Sequence, residues 1–145
     1  IGGGPTGVEL AGALGEISRF TLSRDFRRID PERARVILIE AGPRILPTFE
    51  ESLSDRATRD LESIGVNVWT NTLVTQVGPG TVVLGNETLQ AATVLWAAGV
   101  ASSELNATLG VPLDRQGRSL VAQDCSVPGH PEAFMTPGVE ATTGP

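Results

Sequence analysis

Apolar residues recur at helical spacing near the start of the chain: Leu10, Leu14 and Ile17, with Ala11 and Ala13 beside them. The pattern predicts a helix over residues 5–24, with Pro5 in its first turn, where a missing N–H costs nothing. Residues 23–35 are strongly charged and broken at Asp30-Pro31, which reads as a solvated helix end and loop rather than a binding patch. V-I-L-I-E, residues 36–40, has no polar position until its end and predicts a strand buried on both faces, as in a parallel sheet. A loop over 41–49 leads to a second predicted helix. Ser52 caps it, Asp55 completes a capping box, Leu53, Ala57, Leu61 and Ile64 form its apolar stripe, and Gly65 stops it.

Residues 66–70 predict the next strand. Shorter runs at 73–77, 81–84 and 88–89 are separated by G-P-G and G-N turn signals, the pattern of an antiparallel meander. T-V-L-W-A-A-G, residues 93–99, is again almost wholly apolar and is expected to return to the main sheet. A short strand at 120–122 precedes a Pro/Gly-rich tail. The expected fold class is therefore α/β: a Rossmann-like three-layer domain with a central parallel sheet and a small antiparallel β-meander replacing one crossover.

At 145 residues the chain has the size of one domain. No run reaches the length of a membrane span, and no signal-peptide pattern stands at the start. The single cysteine, Cys125, has no internal disulfide partner, which fits a reducing compartment, and it reads as structural. A net charge of -6 argues against a nucleic-acid partner. All 11 basic residues are arginine, and tyrosine is absent too. That excludes a P-loop, which needs lysine, a Schiff-base enzyme, and the short-chain dehydrogenases with their Tyr and Lys. His130, the sole histidine, lies in a P-G-H-P-E turn without clustered ligands, so no metal is expected.

The candidate chemistry lies in the first residues. Gly2, Gly4 and Gly7 match G-x-G-x-x-G: a tight turn, a close approach of backbone to a pyrophosphate, and close packing of helix on sheet. The helix beginning near Pro5 aims free N–H groups and a positive dipole end at the phosphates. Glu40, at the end of the next strand, is placed to accept hydrogen bonds from both adenosine ribose hydroxyls and to repel a 2′-phosphate, which favours NAD(H) over NADP(H). It comes 33 positions after Gly7, against the usual interval of about 20, so the arginine-rich segment reads as an insertion. Arg44 just beyond is the residue that would favour a 2′-phosphate instead. Glu9 admits two readings: a carboxylate near the point where a cofactor crosses the sheet edge, or one that offsets the helix dipole.

G-G-G-P-T-G-V-E-L-A-G-A-L, V-I-L-I-E-A-G-P-R-I-L-P, L-W-A-A-G-V and V-P-L-D-R-Q-G-R-S-L-V…S-V-P-G-H-P-E-A-F, in this order, resemble the type II NADH dehydrogenases. These are single-chain flavoproteins with two dinucleotide-binding units, and the resemblance covers residues 1–134. It implies that this chain is the NADH-binding unit of an enzyme passing a hydride from NADH to FAD and then reducing a membrane quinone without pumping protons. It also implies that Gly2, Gly4, Pro5, Thr6 and Gly7 hold the pyrophosphate and Glu40 the adenosine ribose. Glu9, the candidate catalytic residue, would lie near the nicotinamide–flavin junction, and Ala98 and Gly99 would pass close beneath the cofactor. For Gly99 a plain strand-end turn is the competing reading. The implied parent is a peripheral protein of the inner face of the cell membrane, with a homodimer compatible; the piece itself is expected to be soluble and cytoplasmic.

The departures from the family pattern are equally specific. The FAD-binding half is not present, so the FAD site lies outside this chain. Residues 135–145, M-T-P-G-V-E-A-T-T-G-P, replace the family's continuation to a Gly-Asp pair that contacts flavin, and read as a tail that is altered or unrelated. The first strand is expected to be truncated, leaving a central sheet position empty and its neighbours exposed. Two other functions stay open: another two-dinucleotide flavoprotein, such as a ferredoxin reductase or NADH oxidase, and a non-catalytic NAD-sensing module.

Overall fold

The structure is a computed structural model that describes residues 1–21, 34–136, 138 and 141–143. Residues 23–33 of the charged segment 23–35, and the expected end of the first helix at residues 22–24, lie outside the described residues. The chain divides into two units, Ile1–Gly99 and Val100–Pro145.

In the first unit, helix α1 (Pro5–Glu16) follows the glycine turn and passes into a π-helical turn at Ile17–Thr21. The helical spacing is as expected, but the buried face is not. Gly7, Ala11 and Gly15 are buried, whereas Leu10 and Leu14 are 41% and 39% exposed. The physical reason is close approach: side-chain-poor positions at i, i+4 and i+8 let the helix lie directly on the sheet, and a Cβ at Gly15 would stand 2.8 Å from Val66.

Strand β1 (Val36–Ile39) pairs in parallel with β2 (Val66–Trp69), with Val36 opposite Val66 and Ile39 opposite Trp69. The crossover between them contains α2 (Glu51–Ser63). Its N-cap is Glu50, without a side-chain capping bond, so the expected Ser52–Asp55 box does not form. Burial falls on Ser54 and Leu61 rather than on Leu53, which is exposed. The Ser54 hydroxyl instead donates to the Ile45 carbonyl at 2.5 Å and ties the helix to the preceding loop. Ala11, Leu38, Ile45, Leu61 and Val66 form the core between α1, α2 and the parallel pair.

The meander forms as expected. Strands β3 (Val74–Gly78), β4 (Thr81–Leu84) and β5 (Glu87–Gln90) make an antiparallel sheet with two-residue connections at Pro79-Gly80 and Gly85-Asn86. Gly80 and Gly85 both take positive φ, as such tight turns require. Residues 93–99 do return to the parallel pair, but as extended backbone rather than a laddered strand. The Ala97 N–H donates to the Ile1 carbonyl and the Ile1 amino group to the Leu95 carbonyl, both at 2.7 Å.

The second unit has more regular structure than its sequence suggests. A short helix α3 (Leu105–Thr108) precedes β6 (Ser119–Val121), which pairs in parallel with β9 (Ala141–Thr143). Strands β7 (Ser126–Val127) and β8 (His130–Phe134) form a hairpin, so His130 opens a strand instead of sitting inside a turn. Val121 and Val127 are its buried centre, with Val111, Ala133 and Met135 packed around them.

The turn into β6 is held by Asp114. Its carboxylate accepts the Gln116 N–H at 2.8 Å, the Arg118 N–H at 2.9 Å and Arg118 Nε at 2.8 Å. The Arg118 backbone bond, reinforced by its guanidinium, holds the carboxyl below its ordinary value of 3.8. A folded-state value lowered in this way contributes stability above the ordinary carboxylate range, lost as pH falls through the folded value. The protection factors of the Gln116 and Arg118 amides, exchange rates corrected for the intrinsic pH dependence, are therefore expected to hold at pH ~5 and to fall as acid protonates Asp114 below the ordinary carboxylate range. Asp114→Asn should remove that acid dependence; an Asp114 titration midpoint at or above the ordinary value would contradict the assignment.

Candidate functional site

The glycine turn is built from contacts that only glycine permits at some positions and from nothing of the kind at another. Gly2 has φ +106, and a Cβ there would lie 2.5 Å from the Ala97 carbonyl oxygen and 2.7 Å from Ala98 Cα. A Cβ at Gly7 would lie 1.8 Å from the Gly2 carbonyl oxygen. These two glycines are required by the protein's own backbone. Gly4 differs: it has φ -72 and ψ 178, ordinary for any residue, and a Cβ would meet nothing within 4 Å. Among the described residues nothing explains a glycine at this motif position. Its exposed side is the open face above the helix start.

Gly4 is also the N-cap of α1 and makes no side-chain capping bond. Pro5 and Thr6, both exposed, begin the first turn, which contains no acid. The first-turn N–H groups of α1 thus point out of the helix end without a capping side chain, the arrangement that receives an anion.

Glu40 sits directly against this turn. Oε2 accepts the Gly3 N–H at 2.6 Å and Oε1 accepts the Gly42 N–H at 2.7 Å, and the residue remains partly exposed. The Gly2 N–H donates to the Ile39 carbonyl at 2.8 Å, and the Leu46 N–H to the Gly3 carbonyl at 2.7 Å. The structure therefore brings Gly2, Gly4, Gly7 and Glu40 into one cluster. A carboxylate offers about four acceptor directions. With two in use, Glu40 keeps capacity for hydroxyl donors on its open side.

Arg44, the residue that could have welcomed a 2′-phosphate, is turned into its own loop. Nη1 donates to the Phe49 carbonyl at 2.8 Å and Nη2 to the Pro47 carbonyl at 2.9 Å. Glu9 is exposed and is the fifth residue of α1. That places it beyond the first turn, where the dipole effect has largely decayed, and weakens the dipole reading. Ala98 and Gly99 are exposed, on the stretch whose backbone passes Gly2. Gly99 has φ +115 with open space where a Cβ would point, so its backbone conformation alone is sufficient cause for glycine. Cys125 and His130 belong to the second unit.

Three participants escape a motif search. Gly3, the glycine between the first two motif positions, is the one that meets Glu40; a Cβ there would be 2.9 Å from the Glu40 side chain. Gly42 and Leu46 supply the other amides, and Leu46 takes φ +49 to do so. The signal was the glycine two positions after the strand-end acid, within A-G-P-R.

A family model described as pyridine nucleotide-disulphide oxidoreductase matches residues 1–136. The chain is 37% identical to the type II NADH:quinone oxidoreductase of Mycobacterium tuberculosis over 153 aligned positions, which cover 99% of this chain and 33% of that protein. It superposes on NDH2 from Plasmodium falciparum, solved in complex with NADH, with a TM-score of 0.78 and 26% identity, covering 90% of this chain and 28% of that one. The water-forming NADH oxidase of Lactobacillus brevis, solved bound to NADH, shares the fold at a TM-score of 0.68 and 19% identity, over 92% of this chain and 27% of its own. The chain spans about a third of the length of the curated relatives it matches.

Proposed function

The chain belongs to the pyridine nucleotide-disulphide oxidoreductase family, and from that premise we propose that it is the NADH-binding unit of an FAD-dependent NADH:quinone oxidoreductase. The observation that carries the reading is Gly4. Its backbone is unstrained and its Cβ direction is empty, so a ligand's backbone-close approach accounts for its glycine identity and no neighbour among the described residues does. Gly2, Gly4, Pro5, Thr6 and Gly7 cradle the pyrophosphate at the uncapped start of α1. Glu40 takes the adenosine ribose hydroxyls, and with Arg44 held by its own loop the site prefers NADH to NADPH.

Toward the other end of the cofactor, Glu9 stands near the nicotinamide, and the Ala98–Gly99 backbone runs beneath it. In the whole protein a bound flavin would supply the hydride acceptor between NADH and a quinone, the second proton of the quinol coming from solvent. The flavin site and the membrane attachment belong to parts of the parent outside this chain. The residues here bind and orient the nicotinamide donor.

Titration with NADH and NADPH, followed by quenching of the two tryptophans, tests this. NADH is expected to bind at least tenfold more tightly than NADPH, about 1.4 kcal/mol. Gly4→Ala should weaken NADH by tenfold or more while leaving the urea midpoint unchanged. NADH binding undiminished in a folded Gly4→Ala protein would sink the pyrophosphate assignment; preferential NADPH binding would sink the role given to Glu40.

A further inference from the structure

One carbonyl of the glycine turn is held from outside the motif. The Gly3 C=O accepts the Leu46 N–H at 2.7 Å, from the loop that follows β1. The Gly3–Gly4 peptide is trans, and in a planar trans peptide the carbonyl and the next N–H point in opposite directions. A carbonyl drawn toward Leu46 therefore turns the Gly4 N–H away from the loop.

That N–H is the donor the turn has to spare. The Gly2 N–H goes to the Ile39 carbonyl and the Gly3 N–H to Glu40 Oε2. Pro5 has no N–H to give. Among the described residues the Gly4 N–H makes no hydrogen bond, and Gly4 is partly exposed. Its direction is set by the partner of the Gly3 carbonyl on the same peptide plane.

Leu46 reaches that carbonyl in a conformation a leucine rarely takes, with φ +49. The loop holds it there from both sides. Before it, Ile45 is fully buried and its carbonyl accepts the Ser54 hydroxyl. After it, the Leu46 carbonyl accepts the Phe49 N–H at 3.0 Å. The Arg44 guanidinium closes the loop across the Pro47 and Phe49 carbonyls. A left-handed leucine persists where its surroundings over-determine it, and such strain gathers at binding sites.

We propose that Leu46 is a positioning residue for the pyrophosphate: its left-handed backbone fixes the Gly3–Gly4 peptide so that the Gly4 N–H faces the diphosphate before it arrives. The proposal rests on the NADH reading and names what aims that site. A donor fixed in advance loses little freedom on binding, so the arrangement contributes to affinity for the diphosphate and not for the nucleoside. Arg44 gains a part as well, as the clasp that keeps Leu46 in place.

The test compares ADP with adenosine, titrated by NMR into the 145-residue chain and three variants. Leu46→Val keeps apolar bulk, but a β-branched residue is a genuine outlier at positive φ. Leu46→Gly loses the side chain and adopts positive φ freely. The third variant carries an ester at position 46, the α-hydroxy analogue of leucine, which removes the N–H and keeps the side chain. Leu46→Val and the ester are expected to weaken ADP by about tenfold and adenosine by less than about twofold. Leu46→Gly should bind both within about twofold of the parent. Circular dichroism reports folding, and if Leu46→Val does not fold, the ester and Leu46→Gly decide.

A Leu46→Gly protein that loses ADP as fully as the ester would overturn the proposal, since the side chain and not the backbone would then matter. Equal weakening of ADP and adenosine would do the same, by making Leu46 a general support of the unit. So would a folded ester variant with the parent's ADP affinity. A parent chain that binds neither ADP nor NADH would take down the NADH reading and the Leu46 role together; a binding parent with any of the other results takes down the Leu46 role alone.

Discussion

Replacing Gly7 with alanine is expected to unfold the Ile1–Gly99 unit, not merely to weaken a ligand. The added methyl would lie 1.8 Å from the Gly2 carbonyl oxygen, a backbone atom with little freedom to retreat. Gly2 is fixed on one side by its bond to the Ile39 carbonyl. On the other side it stands against the Ala97–Ala98 backbone, where its own missing Cβ is what makes room. Relief therefore requires α1 to lift from the sheet, which would part Ala11 from Leu38 and Val66 in the core. Overpacking typically costs about 1–3 kcal/mol and more where, as here, a backbone atom blocks relief, a large share of the roughly 5–15 kcal/mol that holds a typical domain. Urea unfolding read by circular dichroism should show the midpoint collapse. A variant that melts like the parent would show that the helix slides freely over the turn.

The second large effect is expected at Glu40, and it has two parts that different measurements separate. Glu40→Ala strips the acceptors from the Gly3 and Gly42 N–H groups, both partly buried, for a loss of about 2 kcal/mol once water replaces part of the bonding. Glu40→Gln can keep one of the two bonds but presents an NH₂ to the other N–H, so it should fall between alanine and the parent. On the proposed reading both variants also lose the ribose contact and the repulsion of a 2′-phosphate. NADH affinity should drop at least tenfold and the preference over NADPH should flatten. If stability falls while cofactor preference survives, Glu40 pins the turn and does nothing for the ribose.

The glycine turn, the strand before Glu40 and the meander are legible in the sequence because each is a local pattern. A β-branched run bounded by breakers has few alternatives, and two-residue glycine turns dictate hairpins. What escapes is set by partners far along the chain. Leu10 and Leu14 sit at correct helical spacing, yet the helix buries its glycine and alanine face, because the sheet beneath demands proximity rather than volume. The 93–99 run has the composition of a central strand, and its backbone bonds among the described residues go to Ile1 at Leu95 and Ala97, without a ladder. The β7–β8 hairpin hides in a Pro/Gly-rich stretch because His130–Phe134 lacks any alternating apolar signal, and its partner contributes only two residues. In the site, the motif glycines are readable from their spacing and the acid from its place at the end of the following strand. That Glu40 binds Gly3 and Gly42 is not, since it depends on how the loop after β1 folds back.

That fold-back has a thermodynamic consequence for ligands. One carboxylate is anchored to the same turn that is proposed to meet the pyrophosphate, so the adenosine and diphosphate positions share a common support. A ribose that draws the carboxylate outward also tugs on the Gly3 amide, and a phosphate that reshapes the turn shifts the carboxylate. Adenosine and pyrophosphate measured as separate fragments should therefore fail to sum to the affinity of ADP, and the discrepancy should shrink in Glu40→Ala, where the shared support is gone.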